Sequence, residues 1–185
     1  MFQPPTHTLV WPTKSDKDEP ITRVHCQTLT MGQHRELSQQ HKDNDTQLIR
    51  ACISASTSLS DKEIKSLVTP DYTSIQNHVL ELMNNTASQL IEGEFDNTAP
   101  TLLIPIQSDS GQQKTQYTLK PPTVATTDLM DTHTNEWERT IFISSSCTGF
   151  SQSELERLSL PDWNQLQERL IDFLQQPAAY FHPKT

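Results

Sequence analysis

The sequence predicts an α+β fold, predominantly helical, made of two tandem copies of a β-hairpin followed by three to four helices. Three observations carry that expectation: a segment that recurs at a fixed spacing, a pair of short apolar or alternating runs at the start of each half, and two helical stripes of apolar residues. Repetition is read first, because a missed repeat misreads the whole fold. Ser60–Gln76 aligns with Ser151–Gln167 at a spacing of 91, with Ser60/Ser151, Glu63/Glu154, Leu67/Leu158, Pro70/Pro161, Asp71/Asp162 and Gln76/Gln167 identical. Earlier in each half, Thr8-Leu-Val-Trp-Pro12 echoes Thr101-Leu-Leu-Ile-Pro105 at a spacing of 93, which implies a small insertion. The expected units are residues 1–94 and 95–185, divided in the polar stretch that carries Gly93 and Pro100.

Each unit opens on a hairpin. Leu9–Trp11 and Leu102–Ile106 are apolar runs that end near proline, consistent with a first strand. Turn-prone segments follow, and the alternating runs Ile21–Leu29 and Thr115–Leu119 supply the second strand. Thr30 and Thr123 can cap a short helix. The next helices are expected over Asp45–Ser56 and Asn135–Ser146. Ser60-x-x-Glu63 and Ser151-x-x-Glu154 read as capping boxes, in which serine and glutamate each satisfy an orphan amide. Pro70 and Pro161 suit the first turn of a final helix, where a missing N–H costs nothing. Asp71 and Asp162 then read as helix-capping charges at the positive end of the dipole. Tyr72, Ile75, Val79, Leu82 and Met83 form a stripe of helical period, and Trp163, Leu166, Leu170, Phe173 and Leu174 repeat it.

Composition narrows the function classes. Of 185 residues only 33% are apolar, and mean hydropathy is -0.62, so the core must be lean. No run approaches the roughly 20 apolar residues of a membrane span, and the N-terminal residues carry neither a basic nor an apolar leader segment. A cytoplasmic protein is expected. A formal charge of -9, shared evenly by the halves, argues against phosphate-backbone binding, so no nucleic-acid partner is expected. Three widely spaced cysteines (Cys26, Cys52, Cys147) form neither a disulfide framework nor a CxxC site.

The residues nominate no catalytic site, no metal and no cofactor. Four glycines leave no phosphate-cradling loop. His34 and His41 lie about 10.5 Å apart along a helix at 1.5 Å per residue, too far to share one ion. Asp43-Asn-Asp45 lacks the glycine and closing glutamate of a calcium loop and reads as a cap. Ser144-Ser-Ser-Cys147 reads as a helix end with an inert thiol. Glu136 and Glu138 read as the wet face of their helix. Trp11, Phe150, Tyr180 and Phe181 depart from the core pattern and are the candidate partner-binding residues, with partial core as the competing reading.

The pattern S-x-x-E-(I/L)-x-x-L-x-x-x-D-(aromatic)-x-x-(I/L), present as Ser60–Ile75 and Ser151–Leu166, resembles the phage tail assembly chaperones called E, 41 or 14, including those of Mu-like prophages. Tyr117-Thr-Leu-Lys-Pro-Pro-Thr-Val124 is similar to that family's strand-to-helix junction, whereas Gln27-Thr-Leu-Thr30 lacks the prolines. The usual member is a single unit of about half this length. The resemblance implies a non-catalytic chaperone in the bacterial host cytoplasm. Its client would be the tape measure protein, with the tail tube protein as a further candidate partner. Two rival readings stand beside it: a structural tail or baseplate component acting as an interaction adaptor, and an enzyme whose site lies between the halves. Homo-oligomerisation and the packing of the halves, twofold or tandem, are left open by the sequence.

Overall fold

The computed structural model describes residues 2–91 and 95–181; the expected boundary falls against residues 92–94, outside the described residues. β1 (Thr6–Lys14) and β2 (Pro20–His25) form one antiparallel hairpin, and β3 (Thr101–Gln107) and β4 (Gln113–Gln116) form another. The first hairpin is followed by α1 (Met31–Gln40), α2 (Asp45–Thr57), α3 (Asp61–Ser66), α4 (Thr69–Asn84) and α5 (Ala87–Leu90). The second is followed by α6 (Val124–Asp131), α7 (Glu136–Thr148), α8 (Gln152–Glu156), α9 (Leu160–Gln175) and a closing 3-10 turn, Ala178–Phe181. This is the mainly helical α+β arrangement expected, with α2 and α7 both 13 residues long and α4 and α9 both 16.

Local chemistry sets most of the element ends. Thr30, Ser60 and Ser151 head full capping boxes with Gln33, Glu63 and Glu154. Asn44 and Asn135 cap α2 and α7, so the Asp43–Asp45 segment is a helix entry. The two capping-box glutamates also reach the hairpin turns: Glu63 accepts the Asp16 amide at 3.0 Å, and Glu154 accepts that of Asp109 at 3.2 Å. α3 and α8 are thereby each fixed to a hairpin turn.

The strands differ from expectation at their prolines. β1 runs through Pro12 and β3 through Pro105, because each hairpin breaks register there, between Thr8 and Thr13 and between Thr101 and Ile106. A bulge releases its residues from the ladder, so proline costs no sheet hydrogen bond. The second strands are shorter than the runs suggested, stopping at His25 and Gln116.

Those bulges explain the repeated aspartates. Asp71 accepts the amides of Val10 at 3.1 Å and Trp11 at 3.0 Å; Asp162 accepts those of Leu103 at 2.7 Å and Ile104 at 3.3 Å. Both carboxylates are buried. They sit in the first turns of α4 and α9, but helix capping does not account for them: their oxygens satisfy the amides that the bulged strands leave unpaired.

Two apolar clusters form the interior, one around Ile53, Ile75 and Val79, the other around Leu155, Leu158 and Leu166. Ile141 and Trp163 pack against both. The halves join through a short antiparallel bridge between Thr30 and Ser159: Met31 donates its amide to Leu158 O at 2.8 Å, and Leu160 donates to Leu29 O at 2.9 Å. Asn164 Nδ2 donates to the carbonyls of Met83 and Asn85, closing the end of α4. α1 packs on α8 and α9, whereas α6 packs mainly on α7. The join is therefore head to tail, not twofold.

Candidate protein-docking site

The seat of α1 shows what the second half can hold. Met31 is buried at the start of that helix, and Gly32 passes so close to α8 that a Cβ there would lie 2.9 Å from Glu156 O. Trp137, Ile141 and Trp163 of the second half pack against the same cluster as Met31. The Arg35 guanidinium lies 4.1 Å over the Trp137 ring, and Trp137 meets Trp163 at 6.3 Å between centroids. A short amphipathic helix is thus received by the surface of α7, α8 and α9.

The same surface on the first half, formed by α2, α3 and α4, is open. Arg50, Ile64, Lys65, Leu67, Thr69 and Tyr72 line a depression of about 320 Å³ there. A neighbouring hollow of about 390 Å³ shares Arg50, Ile64 and Lys65 and extends to His41 and Asp61. At the spacing of 91, Arg50 stands where Ile141 does, Lys65 where Glu156 does, Thr69 where Leu160 does and Tyr72 where Trp163 does. The floor is apolar, and the rim carries Arg50 and Lys65 together with Asp61, with which Lys65 is ion-paired.

The expected partner-binding residues separate. Trp11 is exposed on the β1 bulge, its amide held by Asp71. Tyr180 is exposed in the closing turn. Phe181 is half-buried beside it, 5.3 Å from the Phe173 ring with the Arg169 guanidinium 4.9 Å above its own. Phe150 is corrected: at 3% exposure it is core, tilted against Tyr117 at 5.3 Å with Lys114 Nζ over its ring. It follows Gly149, whose φ of 72° ends α7, and the residue after such a left-handed turn folds back onto the helix. These four residues do not converge on one site.

The titratable groups are structural in placement. Burial pushes the thiols of Cys26, Cys52 and Cys147 up to about 11, away from the reactive thiolate. His34 is lowered by burial in the cleft between the halves, which it shares with Arg35, Trp137, Trp163 and Asn164. That cleft, about 360 Å³, has a mixed lining, with Met31, Met83, Leu160 and the two tryptophans facing polar groups that include Asn84. Burial pushes Asp71 up, but His7 and the two strand amides outweigh it and hold the carboxyl below its usual range. Asp162 has no such cation beside it, and burial leaves its pKa raised despite Ser159 and its two amides. Among the described residues, no helix is long and apolar enough to cross a membrane.

The α2–α3–α4 groove was not visible in the sequence, because Tyr72 reads locally as part of a core stripe and Ile64 and Leu67 as the apolar positions of the helix behind the Ser60–Glu63 capping box. Its signal lay in the departures between aligned positions: Arg50 for Ile141 and Lys65 for Glu156. Residues 99–175, which run from the start of β3 through α9, match the family model of phage tail assembly chaperone proteins, E, or 41 or 14. Searches of curated proteins and of solved structures found no match.

Proposed function

We infer that the chain is a non-catalytic phage tail assembly chaperone that binds the tape measure protein while the tail assembles, on the match of residues 99–175 to that family's model. The family match carries this reading. The docking surface supports it in kind: α1 seated on α7–α9 is an amphipathic helix in an apolar groove, one of the general modes of helix recognition. A tape measure protein is long and helical, and the open α2–α3–α4 groove offers an amphipathic stretch of it an equivalent seat. On the first-half rim Arg50 has no ion-pair partner among the described residues, whereas Lys65 is paired with Asp61, so Arg50 favours a client helix with an acidic flank. A net charge of -9 would keep the loaded complex soluble. The tail tube protein is the further candidate partner, and the host cytoplasm is where the encounter would occur.

The test is co-expression of the tagged chain with the neighbouring tail genes, followed by purification and mass spectrometry of both the complex and finished particles. A large helix-rich partner, with the chain absent from particles, supports the chaperone reading. Val68→Asp, on the exposed lip of the groove, should then lose the partner without loss of folding. Retention of the chain in particles, with only tube or baseplate protein bound, would replace this reading with a structural adaptor.

A further inference from the structure

We propose that the chain associates head to tail with itself, the α6 helix of one copy entering the α2–α3–α4 groove of the next. The internal join is the template. It is heterologous: the entry of α1 meets the α8–α9 junction, and neither surface is used twice. A heterologous contact between like units leaves one copy of each surface unsatisfied, at opposite ends, and such ends propagate unless the assembly closes into a ring.

Both unsatisfied surfaces are present. Internally, the backbone bridge uses the Met31 amide, the Leu158 carbonyl, the Leu160 amide and the Leu29 carbonyl. Their counterparts are the Val124 amide, the Leu67 carbonyl, the Thr69 amide and the Pro122 carbonyl, and none of these has a backbone partner among the described residues. Backbone groups in that condition are what a second chain can pair. Exposure agrees. Val124 is 77% exposed where its counterpart Met31 is 4%, and Leu129 one turn on is 57% exposed. On the receiving side Val68 is 41% exposed where Ser159 is 1%. Leu174, at the end of α9, is also exposed where Met83 is half-buried against the other half.

Charge identifies the occupant as a second copy. The helix that enters changes from formally neutral in α1 to acidic in α6, with Asp128 in the place of Arg35. The groove that receives it changes in the opposite sense, with Arg50 for Ile141 and Lys65 for Glu156, although Asp61 stands for Gln152 and pairs with Lys65, which leaves Arg50 as the free cation among the described residues. Asp128 and Arg50 have no ion-pair partner among the described residues; Arg35 lies over Trp137, one turn before Ile141 on α7, so seating α6 as α1 is seated brings Asp128 within one helical turn of Arg50. One position limits the fit. Ala125 replaces Gly32, and a Cβ at that point meets the backbone carbonyl of the facing helix at 2.9 Å. α6 must sit slightly farther out, so contact between copies is looser than the internal one. This proposal rests on the groove and not on the identity of the client.

Sedimentation velocity on the purified full chain tests it, free of any client. The expected result is growth in mass with concentration past the dimer. Val124→Asp, at an exposed helix start, should weaken association tenfold or more, and Ala125→Gly should strengthen it. Asp128→Arg and Arg50→Asp should each disrupt it, and mixing those two variants should restore it, since each then offers the other a matched end. A chain that stays monomeric across the concentration range overturns the proposal, even if a client helix later fills the groove. So does association that ignores Val124→Asp and the charge exchange.

Discussion

Leu103 donates its backbone amide to Asp162 Oδ1 over 2.7 Å, joining a strand bulge to the first turn of a helix 59 residues later. Val10 and Asp71 make the same contact in the first half. The third ligand differs. His7 Nε2 lies 2.8 Å from Asp71, whereas Ser159 Oγ donates to Asp162 at 2.6 Å. One carboxylate has a cationic partner available and the other only neutral donors, so the two should respond to pH in opposite directions.

For Asp71 the folded pKa is depressed. Its contribution is present above the unfolded value of about 3.9 and is lost as pH falls through the lower folded value. For Asp162 the folded pKa is raised, so ionisation opposes folding, and stability rises as pH falls from the raised value toward about 3.9. Urea unfolding between acid and neutral pH should show Asp71→Asn removing part of the acid loss, while Asp162→Asn removes a gain below neutrality. Asp162→Ala leaves two buried amides unpaired and should cost roughly 3 kcal/mol. Equal pH profiles for the two asparagine variants would remove the distinction between these sites.

Phe150→Ala separates core from binding surface. Truncation of a buried phenylalanine typically costs about 3–5 kcal/mol. The ring lies between Tyr117 and the Lys114 ammonium, so the denaturation midpoint should drop by an amount in that range. Partner capture should fail only in proportion to unfolding. Full stability with lost capture would return Phe150 to the surface.

Ser58→Gly should act in the other direction. Ser58 ends α2 with φ of 61°, the left-handed conformation that Gly149 adopts at the end of α7. A side chain in that region costs about 1–2 kcal/mol, offset in part by the greater chain entropy glycine loses on folding. A gain of about 0.5–1 kcal/mol is expected from denaturant unfolding. A loss would mean that the serine side chain makes a contact worth more than the strain.

What the sequence disclosed is what neighbours in the chain decide. Ser60 with Glu63, Ser151 with Glu154, and the apolar stripes of α4 and α9 are local patterns, and the hairpins follow from alternation and turn residues. Contacts between distant residues were hidden. Nothing near Asp71 or Asp162 announces a bulge some 60 residues earlier, and a proline in a strand reads as its end until that bulge is known. Phe150 looked like an outlier because its partner signal is the preceding Gly149, not a helical period. The groove emerged only when aligned positions were compared for their differences, Arg50 against Ile141 above all.

Gly32→Ala tests the join between the halves. Alanine favours a helix over glycine by up to about 1 kcal/mol, and an exposed glycine in the first turn of α1 would gain part of that. Here the added Cβ would lie 2.9 Å from Glu156 O and 3.2 Å from Glu156 Cβ, against helix backbone that cannot yield as a side-chain tip would. Overpacking of this kind costs about 1–3 kcal/mol, so the net change should be a loss of about 1–2 kcal/mol. The loss should appear first in Trp137 and Trp163, whose rings lie at the join, while Trp11 reports the distant hairpin. Fluorescence of variants retaining only one tryptophan separates these probes. A stabilising Gly32→Ala would place α1 away from α8 in solution. It would also remove the reason for expecting Ala125→Gly to tighten contact between copies.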